Sequence, residues 1–126
     1  MERRRISSGS PYEPAVGFSR ALVAGRHVHV AGTAPIPPDG RPPPAGAYEQ
    51  ARLCLELIGR ALAEAGAGFE HVVRTRVWVT ARARWEEAAR AHAEVFADIR
   101  PAATGVVAQL LDPRWLVEIE ADALLE

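Results

Sequence analysis

The run Val117-Glu118-Ile119-Glu120-Ala121-Asp122 alternates without a break between apolar and acidic residues. Strand side chains project to opposite faces with a period of two. This strand therefore has one face for a core and one that must be solvated, paired with cations or turned into a cleft. The rest of the chain supplies elements that can cover the apolar side. Ser19 to Ala31 alternates around Ala24-Gly25-Arg26 and predicts a tight hairpin. Tyr48 to Ala65 sets Leu53, Cys54, Leu57, Ile58, Ala61, Leu62 and Ala65 at helical period, with Gly66 as the stop. Val72 to Thr80 alternates Val73, Thr75, Val77 and Val79 against Arg74, Arg76 and Trp78. A second helix is predicted over Trp85 to Ile99, with Trp85, Ala89, His92, Phe96 and Ile99 on one face. Residues 35–44 hold six prolines and form an extended loop. Residues 100–126 read as two strands joined by a turn at Leu111-Asp112-Pro113-Arg114. The order hairpin, helix, strand, helix, two strands gives an α+β sandwich whose sheet carries two helices on one face.

At 126 residues and 48% hydrophobic content the chain is a single domain, residues 1–126, with residues 1–9 expected as a flexible tail. Its one cysteine excludes an internal disulfide framework, and Cys54 falls on the apolar face of the first helix, where it is buried and inert. No apolar run reaches membrane-spanning length. Met1-Glu2-Arg3-Arg4-Arg5 leads into Ile6-Ser7-Ser8-Gly9 rather than an apolar secretory core, so a cytoplasmic protein is expected. All fifteen basic residues are arginines, which excludes catalysis through a Schiff-base lysine. The net charge is −1 with arginines interspersed among carboxylates, so nucleic acid is an unlikely partner and Arg3-Arg4-Arg5 reads as solvated. His27 and His29 share a strand face, but no third ligand is spaced to complete a metal site; no metal and no cofactor are expected.

The uncovered sheet face would carry His27, His29, Arg74, Arg76, Trp78, Glu118 and Glu120. A tryptophan among charges belongs poorly in water, so this face is expected to form an interface between copies with cross-strand ion pairs. Arg76 either pairs with Glu118 or Glu120 or turns its guanidinium to a ligand carboxylate. His92, on the apolar face of the second helix, reads as a neutral histidine with a satisfied ring nitrogen. Arg100 and Arg114 flank the last strands as solvated loop residues.

Several of these segments resemble one known family. Pro101-Ala102 before a strand, the turn at Asp112-Pro113, and the closing Glu118-Ile119-Glu120-Ala121 are similar to the C-terminal signature of the reactive-intermediate deaminase (RidA, YjgF) family. Ser10-Pro11-Tyr12 and Ala31-Gly32-Thr33-Ala34-Pro35-Ile36 resemble its N-terminal stretches. The resemblance runs from about Ser10 to Leu124. It implies a chorismate-mutase-like sandwich with an antiparallel-rich mixed sheet, closed in a homotrimer into a barrel, with a small-molecule cleft at each subunit interface. It also implies hydrolysis of enamines or imines to carbonyl compounds and ammonia, with Glu118 handling the attacking water and Tyr12, Ala103, Thr104 and Gly105 lining the substrate site. The chain departs from the pattern at the residue that holds the substrate carboxylate, an arginine in deaminating members and Ala103 here. The usual cysteine is Gly105, and a helix asparagine falls on Ala89. The substrate then either lacks a free carboxylate or the trimer binds a metabolite or partner without catalysis. Without the resemblance, Glu118 reads as an ion-pair partner of Arg74 or Arg76.

Overall fold

The structure, a computed structural model, describes all 126 residues. Its centre is the alternating C-terminal strand. Strand β6 (Val117–Leu124) buries Val117, Ile119, Ala121 and Ala123 and leaves Glu118, Glu120 and Asp122 on the other face. The glycine turn at Gly25, with φ of 61°, closes the hairpin of β2 (Ala21–Ala24) and β3 (His27–Thr33). β3 pairs antiparallel with β6, and β6 pairs antiparallel with β4 (Val72–Val79). β5 (Ala102–Val107) joins β4 in parallel, as the helix between them allows. With β1 (Arg3–Ile6) the sheet has the order β1-β2-β3-β6-β4-β5.

Helices α2 (Ala47–Glu64) and α3 (Trp85–Phe96) cover one face of this sheet. Cys54, Leu55, Ile58 and Leu62 of α2 and Ala88, Ala91 and Phe96 of α3 meet the apolar residues of β3, β4 and β6 in one continuous core. This is the chorismate-mutase-like α+β sandwich that the sequence predicts. No helix is long and apolar enough to cross a membrane.

Four local features differ from the sequence reading. Residues 3–6, expected within a flexible tail, form an edge strand paired with β2. There Ile6 is buried, and Arg4 donates to the Glu64 carbonyl, supplying a cation to the C-terminal end of α2. A short helix, α1 (Tyr12–Val16), precedes the hairpin, where the sequence reading placed no helix. The two C-terminal strands are neighbours in sequence but not in the sheet, because β4 lies between them. Finally, a register shift between Val72 and Arg74 buries Val72 and turns Val73 outward, half exposed, so Val73 is not on the core face.

One buried polar residue ties the loops together. Gln50 donates to the carbonyls of Pro44 and Arg114 at 2.7 and 2.9 Å and accepts from the Leu116 amide at 2.7 Å. Its carboxamide is thus satisfied inside the core, and it pins the proline loop to the turn that aims β6.

Candidate functional site

The uncovered face of the sheet, opposite α2 and α3, carries the predicted charged set. Cross-strand register places Trp78 beside Glu118, Arg76 beside Glu120 and Arg74 beside Asp122. Arg76 pairs with Glu120 at 3.0 Å and with Asp122 at 3.4 Å, and Asp122 also meets His29 Nδ1 at 2.7 Å. Arg74 donates to Thr104 Oγ1 at 2.8 Å. The expected pairing of Arg74 or Arg76 with Glu118 does not form. Arg76 instead makes the alternative pair with Glu120 directly opposite and reaches Asp122, while Arg74 is committed to Thr104.

Glu118 instead occupies a separate corner. A β-bulge in β3 between Val30 and Thr33 takes Ala31 and Gly32 out of the ladder. Gly32 lets the carboxylate approach the backbone: a Cβ on it would stand 2.5 Å from Glu118 Oε2, so a side chain at 32 would turn the carboxylate aside. The Glu118 carboxylate is half-buried and accepts no hydrogen bond from the protein, and burial pushes its pKa up. The Arg20 guanidinium opposes that shift from a distance, while Glu120 adds to it. Arg20 donates from Nη2 to the Gly32 carbonyl at 2.6 Å, so both side chains converge on one glycine. Behind Arg20 lies Glu13 of α1, a buried carboxylate bonded by the Ser7 hydroxyl and the Ser8 amide at 2.9 and 3.1 Å. Burial would raise the Glu13 pKa, but these serine bonds and the Arg20 charge hold it below the ordinary carboxylate range. A groove of about 1240 Å³ runs alongside, between α1 and the outer sheet face, past Glu13, Phe18, Leu22, His29, Glu120 and Asp122.

The β5 side is built differently. Parallel pairing sets Ala103 beside Thr75 and Gly105 beside Val77, so both face the helices, whereas Thr104 shares the outer face with Arg76. A Cβ on Gly105 would lie 2.5 Å from Cη2 and Cζ3 of Trp85, the first residue of α3. The indole ring therefore fills the volume that a side chain at 105 would need. Ala89, on the next turn of α3, is half-buried. Glu118 and Thr104 share a face that Ala103 and Gly105 do not.

The other sequence-singled residues are placed as follows. Tyr12 starts α1 with its side chain largely exposed. His92 Nε2 meets Thr75 Oγ1 at 2.8 Å and packs against Phe96, and burial lowers its pKa, which agrees with a neutral, satisfied histidine. Cys54 is fully buried, and burial pushes its thiol pKa up, so it is a poor nucleophile. Arg114 is bonded to Asp112, holding that carboxyl down to about 2. No three His, Cys, Asp or Glu side chains are grouped to hold a metal ion. Sequence reading missed Arg20, Glu13 and the Trp85 contact. Gly105 was the available signal, since a glycine inside a strand marks a close approach by something else.

Comparison with known proteins agrees with this architecture. The family model described as Endoribonuclease L-PSP matches residues 9–125. The chain is 40% identical over 121 residues to the Streptomyces coelicolor protein SCO2049, across 95% of this chain and 90% of that one. It is 34% identical over 76 residues to 2-iminobutanoate/2-iminopropanoate deaminase of Rattus norvegicus, across 59% of this chain and 56% of that enzyme. The solved structure of Rv2704 from Mycobacterium tuberculosis, a member of the YjgF/YER057c/UK114 family, is similar with a TM-score of 0.89 and 43% identity, covering 98% of this chain and 100% of that one. With nearly every residue inside the family model and its sandwich matched end to end, the chain belongs to the Endoribonuclease L-PSP family, the RidA/YjgF proteins.

Proposed function

We propose that the protein acts as a homotrimer whose intersubunit clefts hydrolyse a reactive enamine or imine lacking a free carboxylate at the β5 side. The observation that carries this reading is Glu118: a half-buried carboxylate, raised in pKa by burial and bonded to no protein donor. Such a group can take a proton from water near neutral pH. Water oxygen bonds to the carbon of the protonated imine as Glu118 accepts one water proton and the C=N π pair moves to nitrogen, giving a carbinolamine. Glu118 returns that proton to the amine nitrogen, and the carbon–nitrogen bond then breaks as the hydroxyl loses its proton to Glu118 and becomes the carbonyl, releasing ammonia and a carbonyl compound. The outer face, with half-buried Trp78 amid paired charges, supports burial against other copies. Ala103 offers no polar atom to a carboxylate, and the indole over Gly105 makes that side apolar. A charge-assisted bond missing there costs about 2–3 kcal/mol of anchoring, roughly a hundredfold in turnover of carboxylate-bearing imines.

The test is ammonia release from a panel of imines generated in situ, some with and some without an α-carboxylate. Turnover confined to the carboxylate-free members supports the reading; efficient turnover of iminopropanoate overturns the substrate class. Sedimentation in dilute reducing buffer should give a species near three chains, and a stable monomer would remove the intersubunit cleft. One observation favours a second reading, a trimer that binds a metabolite or partner without catalysis: Trp85 occupies the space over Gly105. No turnover of any imine, together with retained ligand binding, selects it.

A further inference from the structure

The corner at Gly32 contains two charged groups that converge without pairing. Arg20 directly precedes β2 and lies opposite Ala31, whose amide donates to the Arg20 carbonyl at 3.0 Å. Strand alternation then points its side chain to the outer face, the face of Glu118. Its Nη2 is fixed on the Gly32 carbonyl at 2.6 Å, and the Glu118 carboxylate lies against the other side of the same glycine. Yet Arg20 and Glu118 form no direct ion pair. Arg20 Nε is buried with no acceptor, and Glu118 has no donor. A buried guanidinium N–H left unbonded is costly, so this arrangement calls for a reason other than local stability. Arg20 also feels the negative charge of Glu13, without a direct ion pair, and Glu13 is itself locked by Ser7 and Ser8.

We infer that Arg20 is a positioning residue for Glu118: fixed on the Gly32 carbonyl, it supplies the cationic field that keeps the Glu118 carboxylate ionised and turned outward for its ligand. This places the one guanidinium that acts on the Glu118 carboxylate just before β2, in a chain that has none at position 103. The charged groups that act on Glu118 are Arg20 and Glu120 on β6. Only Arg20 is cationic. Removing it leaves burial and Glu120 to drive Glu118 toward its neutral form, in which it cannot accept a proton. Glu13 acts in the opposite sense, because its negative charge offsets part of the field that Arg20 exerts at Glu118. The consequence for hydrolysis rests on the imine-hydrolase reading, but the electrostatic claim does not.

The experiment is a pH titration of the intact protein labelled with ¹³Cδ-glutamate, the Glu118 resonance being assigned by its loss in Glu118→Gln. The Glu118 midpoint should rise by about one pH unit in Arg20→Gln, stay near wild type in Arg20→Lys and fall in Glu13→Gln. A purely structural Arg20 would not move the two neutral variants in opposite directions. An unmoved Glu118 midpoint in a folded Arg20→Gln protein overturns the inference. If that variant does not fold, Glu13→Gln decides: a midpoint that stays or rises overturns it. Absence of imine hydrolysis in the wild type defeats the proposed reaction but leaves the titration informative, so the two failures are distinguishable. Where hydrolysis is present, the acid limb of kcat/KM should shift with the same sign in each variant.

Discussion

The two sides of the candidate site are built in opposite ways. At the Gly32 corner, the protein has kept a half-buried carboxylate and surrounded it with a fixed guanidinium, a bulge and a glycine that admits it. At β5, Ala103 and Gly105 provide no side-chain polar atom, and an indole fills the remaining space. Under the proposed reaction, the group that moves a proton and the surface that grips a substrate are thus separable: the carboxylate lies at one side, and the other side has no polar side chain at 103 or 105. A carboxylate position depends on one glycine and one bulge, whereas a ligand-gripping surface can be refilled by a single large side chain from the neighbouring helix.

The most severe way to break this comparison is Glu118→Gln. Shape and burial are kept while the proton acceptor is lost, so hydrolysis should fall by roughly 10² to 10⁴ with ligand affinity little changed. Because Glu118 has no ion-pair partner to orphan, the variant should melt no earlier than wild type at neutral pH. An earlier melting transition would mean that the carboxylate stabilises the fold after all.

A smaller effect is expected at β5. Gly105→Cys forces a side chain into the Trp85 ring and should destabilise the protein by about 1–3 kcal/mol in urea unfolding. Trp85→Ala in the same chain should recover most of that loss, and additive losses in the double-mutant cycle would show that the ring can simply move aside. Smaller again, Ala103→Arg combined with Trp85→Ala should raise turnover of an α-carboxylate imine about tenfold, part of a charge-assisted anchor. No gain would place the ligand away from position 103.

The smallest effect distinguishes the sheet's two faces by pH. Glu118 titrates higher folded than unfolded, so its contribution to stability is full below the unfolded pKa and is lost as pH rises through the folded one. Burial depresses His92 on the helix face, so its contribution is full above the unfolded pKa and is lost as pH falls through the folded one. Unfolding free energies measured from pH 4 to 8 should therefore lose a falling component in Glu118→Gln and a rising component in His92→Gln. A change of slope with the same sign in both variants would show that one of the two groups is not shifted as its burial requires.

How much of this was written in the chain depends on whether a feature repeats. Alternation in Val117–Leu124 and helical period in Ala47–Glu64 were legible because each core residue is reinforced by others at the same spacing. Val73 failed for the same reason in reverse, since one bulge residue changes the phase of everything before it. β1 was hidden because a four-residue edge strand with three arginines carries almost no apolar pattern. Glu118 and the outer charged face could be named from alternation and from resemblance to known sequences. Arg20 could not, because its importance comes from a tertiary meeting at Gly32 between residues 12 and 98 positions away along the chain. The Trp85 contact is likewise nonlocal, although each partner was individually conspicuous.

The Trp85 and Gly105 pair also imposes an order on any mutational path back to a cysteine at that position. A cysteine arriving first at 105 meets the indole, while removal of the indole first strips an exposed glycine of its contact. The effect of either change therefore depends on whether the other has already been made, which makes the two positions epistatic.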